Sequence, residues 1–197
     1  YDQIYDEHPH VFSVIALDNL LNRNGLEIVK VENLSVHGGS NRIYAMKKGV
    51  GDVEESVEQN KIYERILGLD KLETFVRFAE KVNQSKSDLL RLLKKCKQEG
   101  KKVISYGASS KSTTIFNYCG IGPDLISYIT DTTPEKQGKL SPGMHIPVMS
   151  PEQGFNETVD YAYLGAWNFI QEIKNKEKDF VNGGGKFISH VPLVKFV

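Results

Sequence analysis

From Val103 onward the chain alternates short apolar runs with longer amphipathic ones, and this constrains the fold more than any other feature. VISYG is followed by SKSTTIFNYCG, then by LISYITD, HIPVM, DYAYLGAW, WNFIQEIKNKEKDFV, a GGG turn and KFISHVP. The apolar runs have strand length, and the segments after VISYG and DYAYLGAW have helix length. Strands joined by helix-sized segments do not form hairpins. They pair side by side in parallel, and the crossover helices cover the faces of the sheet. In an open sheet of this kind, small molecules collect beyond the carboxyl ends of the strands.

The first half has a different pattern. Phe12, Ile15, Ala16, Leu20 and Leu21 recur at helical spacing, and Asn24-Gly25 closes that helix. LEIVKVENLSV then reads as a strand with Leu26, Ile28, Val29 and Val31 buried, HGGSN as a turn and RIYAMKK as a second strand. A helix followed by an antiparallel pair has no larger sheet to join within residues 1–50, so these residues read as the tail of a separate domain. GVGDVEES marks a boundary near residue 50. Two helices are expected over 54–67 and 70–98, the second ending at Gly100 and carrying a stripe that includes Leu72, Phe75, Leu89 and Leu93.

Composition narrows the function. Lysine and arginine number 25 and aspartate and glutamate 25, so no net field recruits nucleic acid or anionic membrane. The expected ligand is therefore a small molecule met by a local site. Two cysteines, Cys96 and Cys119, stand in unlike contexts without metal-ligand spacing, which suits a reducing compartment and offers no metal site. No apolar run approaches the roughly 18 residues of a membrane span, and the expected location is cytoplasmic.

The end of VISY is the first place to look for that ligand. Gly107-Ala108-Ser109-Ser110-Lys111-Ser112 leads into a helix, where free backbone N–H groups and the helix dipole favour an anion, phosphate above all. The serine hydroxyls and Thr113 add donors, and Lys111 adds a positive charge. The turn is neither a P-loop, since no glycine precedes Lys111, nor a G-x-G-x-x-G fingerprint, since Gly107 is its only glycine. The plainer alternative is an ordinary strand-to-helix turn with serine as N-cap and lysine on a solvated face. Asp131 stands where a dinucleotide-binding fold places its ribose-binding acid, and could equally cap the TTPEK turn that follows.

The opening residues Tyr5-Asp6-Glu7-His8 with Phe12-Ser13, then His37-Gly38-Gly39-Ser40 and Arg42-Ile43-Tyr44, extend the picture. Together with GASSKSTTIFNYCGI, DTTPEKQGKLSPGMHIPV, AWNF and GGGKFI they resemble the nucleotide-sugar C-methyltransferases of deoxysugar biosynthesis. The final ISHVPLV departs from that family's Ile-Pro-x-Pro-like ending. The resemblance implies a Rossmann-like domain, mostly parallel with helices on both faces, over residues 51–197. Residues 1–50 would be the helix–strand–strand end of an S-adenosylmethionine-dependent methyltransferase domain. It also implies an upstream zinc domain and an upstream methyl-donor site, so that this stretch alone would be inactive.

The implied substrate is a dTDP-linked 4-keto sugar. Methylation beside its keto group requires removal of the proton alpha to the carbonyl. Histidine, with an ordinary pKa near ~6.5, is suited to that task. The resemblance gives the role to His8, with Glu7 orienting a group or bonding the sugar and Tyr5 donating to the enolate oxygen. Gly107, Ala108, Ser109, Ser110, Lys111 and Ser112 would hold the diphosphate, and His37, Gly39, Ser40 and Arg42 are further substrate-binding candidates. Two rival readings remain: a nicotinamide-dependent oxidoreductase using Gly107 and Asp131, and a non-catalytic nucleotide-binding or assembly module.

Overall fold

The computed structural model describes residues 1–156 and 158–197, and of His37 the backbone alone. The chain divides into two units, one formed by His10–Glu80 and the other by Tyr1–Pro9 with Lys81–Val197.

In the unit His10–Glu80, helix α1 (Val14–Arg23) starts at Ser13, whose side chain accepts the Ala16 N–H. Strand β1 (Leu26–Leu34) pairs antiparallel with β2 (Ser40–Lys47). Strict alternation would bury every second residue. A register shift between Ile28 and Lys30 breaks the alternation, so Ile28, Val29 and Val31 are all buried. Helix α2 (Glu55–Ile66) contributes Val57 to a small core with Val14, Ile28 and Val31. It also contributes Glu64, a buried acid whose carboxylate accepts the N–H groups of Val14 at 2.6 Å and Ile15 at 2.8 Å. Two otherwise unpartnered donors at the start of α1 are thereby satisfied from a residue far along the chain.

Helix α3 (Leu72–Gln98) crosses the division between the units, and its later part belongs to Lys81–Val197. There Leu89, Leu93 and Cys96 are buried. The remaining elements are β3 (Val103–Tyr106), α4 (Ser110–Cys119), β4 (Ile129–Thr130), β5 (Val148–Met149), α5 (Pro151–Gly154), β6 (Tyr161–Leu164), α6 (Ile170–Lys176), α7 (Lys178–Asn182), β7 (Lys186–Ser189) and β8 (Lys195–Phe196). The sheet order is β5-β4-β3-β6-β7-β8, with every pair parallel except β7 with β8. Counted from β3, this is the strand order of a dinucleotide-binding sheet, and it reverses between β3 and β6. One face is packed with Leu93, Ile115, Phe116 and Ile126, and the other with Ile104, Leu164, Ile173 and Phe187. The expected α/β class, with a preceding α-β-β segment, is the observed one. Among the described residues no helix is long and apolar enough to cross a membrane.

Local differences have physical causes. LISYITD was expected as a strand throughout, but only Ile129 and Thr130 pair as one. Leu125 and Ile126 turn back onto the Gly122 carbonyl, and both are buried nonetheless. An apolar run records burial and does not separate a strand from a buried turn. The helix expected over WNFIQEIKNKEKDFV is a 3-10 turn at Trp167–Phe169 followed by α6 and α7, broken at Glu177. Glu177 departs from helical backbone there and accepts the Tyr106 hydroxyl at 2.6 Å.

Candidate functional site

The strand-end turn is built around Gly107, whose φ of +93° lies in the region that favours glycine. Its N–H donates to the Thr130 carbonyl at 2.8 Å, and the Ala108 N–H to Asp131 Oδ2 at 2.7 Å. Ser109 is the N-cap of α4 in a reciprocal capping box. The Ser112 N–H donates to Ser109 Oγ at 3.1 Å, and the Ser109 N–H to Ser112 Oγ at 3.0 Å. These bonds commit the amides of Gly107, Ala108, Ser109 and Ser112 internally, and Ser112 is buried. The amides of Ser110 and Lys111, at the first two positions of α4, have no acceptor within the helix.

Asp131 closes the turn from below. Oδ1 accepts the Thr133 N–H at 2.8 Å, while Oδ2 lies 3.4 Å from Lys136 Nζ in addition to its bond with Ala108. Burial works against its charge, but the bonds from Thr133 and Ala108 and the nearby Lys136 outweigh it, and the acid stays below its ordinary pKa. Asp131 is therefore the cap of the TTPEK turn, one of its two sequence readings. Both of its oxygens are engaged.

Beside this turn lies a cleft of about 730 Å³. Its walls include Ala108, Ser109, Ser110, Thr113, Thr114 and Asn117 on one side, Ile4 to Glu7 on another, and Lys136, Lys139 and Ser141 from the loop between β4 and β5. Tyr5 and Glu7 thus share one cleft with the start of α4. Lys111 points elsewhere, with Nζ 3.1 Å from Asn168 Oδ1 and 5.6 Å above the Trp167 ring. The ammonium groups lining the cleft belong to Lys136 and Lys139.

His8 is exposed, next to Tyr5. Its N–H closes a turn onto the Tyr5 carbonyl at 2.7 Å, and the two rings lie 4.3 Å apart between centroids. Nδ1 is 3.1 Å from the Gln3 carbonyl, and Nε2 is 3.5 Å from the Tyr5 hydroxyl. A carbonyl only accepts, so Nδ1 carries the proton in the neutral ring and Nε2 keeps its lone pair. That is the tautomer a base requires at Nε2.

The other candidates lie in the unit His10–Glu80. Gly39 has a φ of +118°, the Ser40 hydroxyl donates to the Val36 carbonyl at 3.2 Å, and Arg42 is 3.5 Å from Glu32. The side chain of His37 lies outside the described residues. Sequence reasoning passed over Lys136, Lys139, Thr114 and Asn117. The first two stand in DTTPEKQGKLSPG, a motif of the family resemblance, but an irregular loop has no periodicity from which to read a direction.

A second cavity, of about 290 Å³, opens at the carboxyl ends of β3, β4 and β6 and is lined by Gly107, Asp131, Phe169 and Lys176. It occupies the place of a dinucleotide ribose in related sheets. Of the two acids lining it, Asp131 is engaged in the turn and Glu172 comes from α6, and the turn has one glycine. Among the described residues no group of three or more His, Cys, Asp or Glu is placed to hold a metal ion.

The cleft thus joins Tyr5, Asp6 and Glu7 to the candidate anion site, while His8 is not among its lining residues. Residues 35–192 match the C-methyltransferase C-terminal domain, and the chain belongs to that family. It is 36% identical over 193 residues to the C-methyltransferase NovU of Streptomyces niveus, an alignment covering 98% of this chain and 46% of that protein. The chain therefore spans less than half the length of this relative.

Proposed function

We propose that this chain is the C-terminal part of an S-adenosylmethionine-dependent C-methyltransferase acting on a dTDP-linked 4-keto sugar. Residues 1–50 would be the end of the methyltransferase domain, and residues 51–197 the nucleotide-sugar-binding domain. The observation that carries the reading is the shared cleft, where Tyr5 and Glu7 face the start of α4, Lys136 and Lys139. In this reading the diphosphate lies against the Ser110 and Lys111 amides and the Lys139 ammonium, with the sugar directed towards Tyr5 and His8. His8 Nε2 takes the proton alpha to the carbonyl. The C–H electron pair becomes the enolate double bond, and charge moves to the carbonyl oxygen, where the Tyr5 hydroxyl donates to it. Glu7 orients the sugar. S-adenosylmethionine is the methyl donor the family implies. The residues around Gly107 do not suit it, since Asp131, the acid at the end of β4, is engaged in the turn, and the steps assigned to this chain end at the enolate.

Two measurements test the proposal. Calorimetric titration of the chain with dTDP should detect binding that Lys139→Ala weakens about tenfold, the equivalent of ~1.4 kcal/mol. Lys111→Ala should have a smaller effect, because that ammonium faces Asn168. No binding, or equal binding by the Lys139 variant, overturns the diphosphate site. In the intact methyltransferase, His8→Ala should abolish turnover with substrate affinity kept within about threefold, since a base acts in the transition state. Retained turnover removes His8 as the base.

A further inference from the structure

The segment that carries Tyr5, Glu7 and His8 has little holding it at its own positions. Glu7 and His8 are exposed, and the bonds among Gln3, Tyr5 and His8 are local to the segment. The Thr114 hydroxyl reaches the Ile4 carbonyl at 3.1 Å. The strong hold is upstream. Asp2 is 2% exposed, and its Oδ2 accepts the indole N–H of Trp167 at 2.7 Å. His190, also 2% exposed, places Nε2 3.5 Å from the same oxygen and Nδ1 2.9 Å from the Tyr163 hydroxyl. Nε2 makes no hydrogen bond, so a buried polar edge of the ring stands opposite the carboxylate. The ring of Tyr1 packs edge-on against His190 and Tyr118, and its hydroxyl is 3.2 Å from Ser85 Oγ.

A carboxylate this deep is unfavourable unless partnered. Burial opposes the charge of Asp2, yet His190 and Trp167 keep the acid below its ordinary pKa. Trp167 begins the 3-10 turn that follows β6, and Lys111 Nζ lies over the same indole. One aromatic side chain thus meets both the residue that roots the opening segment and the lysine of the strand-end turn.

We propose that Asp2, Trp167 and His190 are positioning residues that clamp the opening segment and so set Tyr5 at the cleft and His8 beside Tyr5. This rests on the catalytic reading of those two residues. The chain extends by roughly 3.5 Å per residue, so a loosened root lets the imidazole wander by several ångströms. A displacement of ~1 Å can cost about 100-fold in rate.

The test uses Asp2→Ala, Trp167→Phe and Asp2→Asn. In the 197-residue chain, amide exchange at His8 should accelerate about tenfold in the first two, while the Val103–Tyr106 amides keep their protection. Nitrogen NMR of His8 should lose its Nδ1–H preference in parallel. Asp2→Asn retains an oxygen for the indole and should restore most of the protection. If Asp2→Ala does not fold, Trp167→Phe, which keeps the aromatic bulk, carries the test. Unchanged His8 exchange and tautomer in the folded variants overturn the clamp alone. In the intact methyltransferase, kcat should fall about 100-fold with KM changed by less than about threefold. A freed segment with unchanged kcat overturns the positioning role together with the catalytic reading of Tyr5 and His8.

Discussion

Replacing Asp131 with alanine removes the acceptor of two backbone donors, Ala108 N–H at 2.7 Å and Thr133 N–H at 2.8 Å, and separates Lys136 from its partner. A buried donor left unsatisfied costs about 1–3 kcal/mol. Both amides are only half-buried and water recovers part of the loss, so the expected total is about 3 kcal/mol. With a urea slope near ~2 kcal/mol/M, the transition of the α/β unit should move down by about 1.5 M. Asp131→Asn keeps one acceptor oxygen but turns an amide N–H towards the other donor, and should fall between wild type and alanine. The pH dependence has a definite sign. The folded-state pKa of Asp131 lies below its ordinary value of 3.8, because bonds from Thr133 and Ala108 and the Lys136 charge overcome the opposing effect of burial. Its contribution is therefore complete above that ordinary value and is lost as pH falls through the lower folded one. Urea melts of wild type and Asp131→Ala should differ by a constant amount from about pH 7 to pH 5, and the gap should narrow below about pH 4. A gap under ~0.5 kcal/mol at neutral pH, or one that persists unchanged into strong acid, would refute the capping role.

In the other unit, Glu64→Ala strands the Val14 and Ile15 amides and should cost about 2–4 kcal/mol, with exchange accelerated first at those two amides; a loss no larger than at exposed Glu58 would count against it. Ser109→Ala removes the N-cap of α4 and should cost about 1 kcal/mol by thermal melting, and a neutral result would mean Ser112 carries the turn alone. Burial pushes the Cys119 thiol up to about 11, so the native protein at pH 8 should react with a thiol reagent far more slowly than the urea-unfolded chain; equal rates would contradict its burial.

Much of the fold can be read along the chain, because apolar period and segment length are local properties. The turns at Gly25, Gly100 and Gly107 fall where the helices and strands were expected to end, and each takes a positive φ. Expectation failed where burial and hydrogen bonding separate. Leu125 and Ile126 are as apolar as a strand but lie in a turn, and the consecutive residues Ile28 and Val29 are both buried where the register of β1 shifts. The site was legible in part. Ser109, Ser110, Tyr5 and Glu7 do line one cleft, while the direction of Lys111 and the entry of Lys136 and Lys139 were not foreseeable.

By itself, the sequence determined the class of sheet, the location of the glycine turn and the family. Each depends on neighbours within a few residues or on an ordered set of motifs. Tertiary structure alone decided the strand order and the partners of the charged groups. Asp2 meets Trp167 across 165 positions, and Asp131 reaches back 23 to Ala108. Contacts at such separations depend on how the sheet stacks its elements, and no spacing along the chain encodes them.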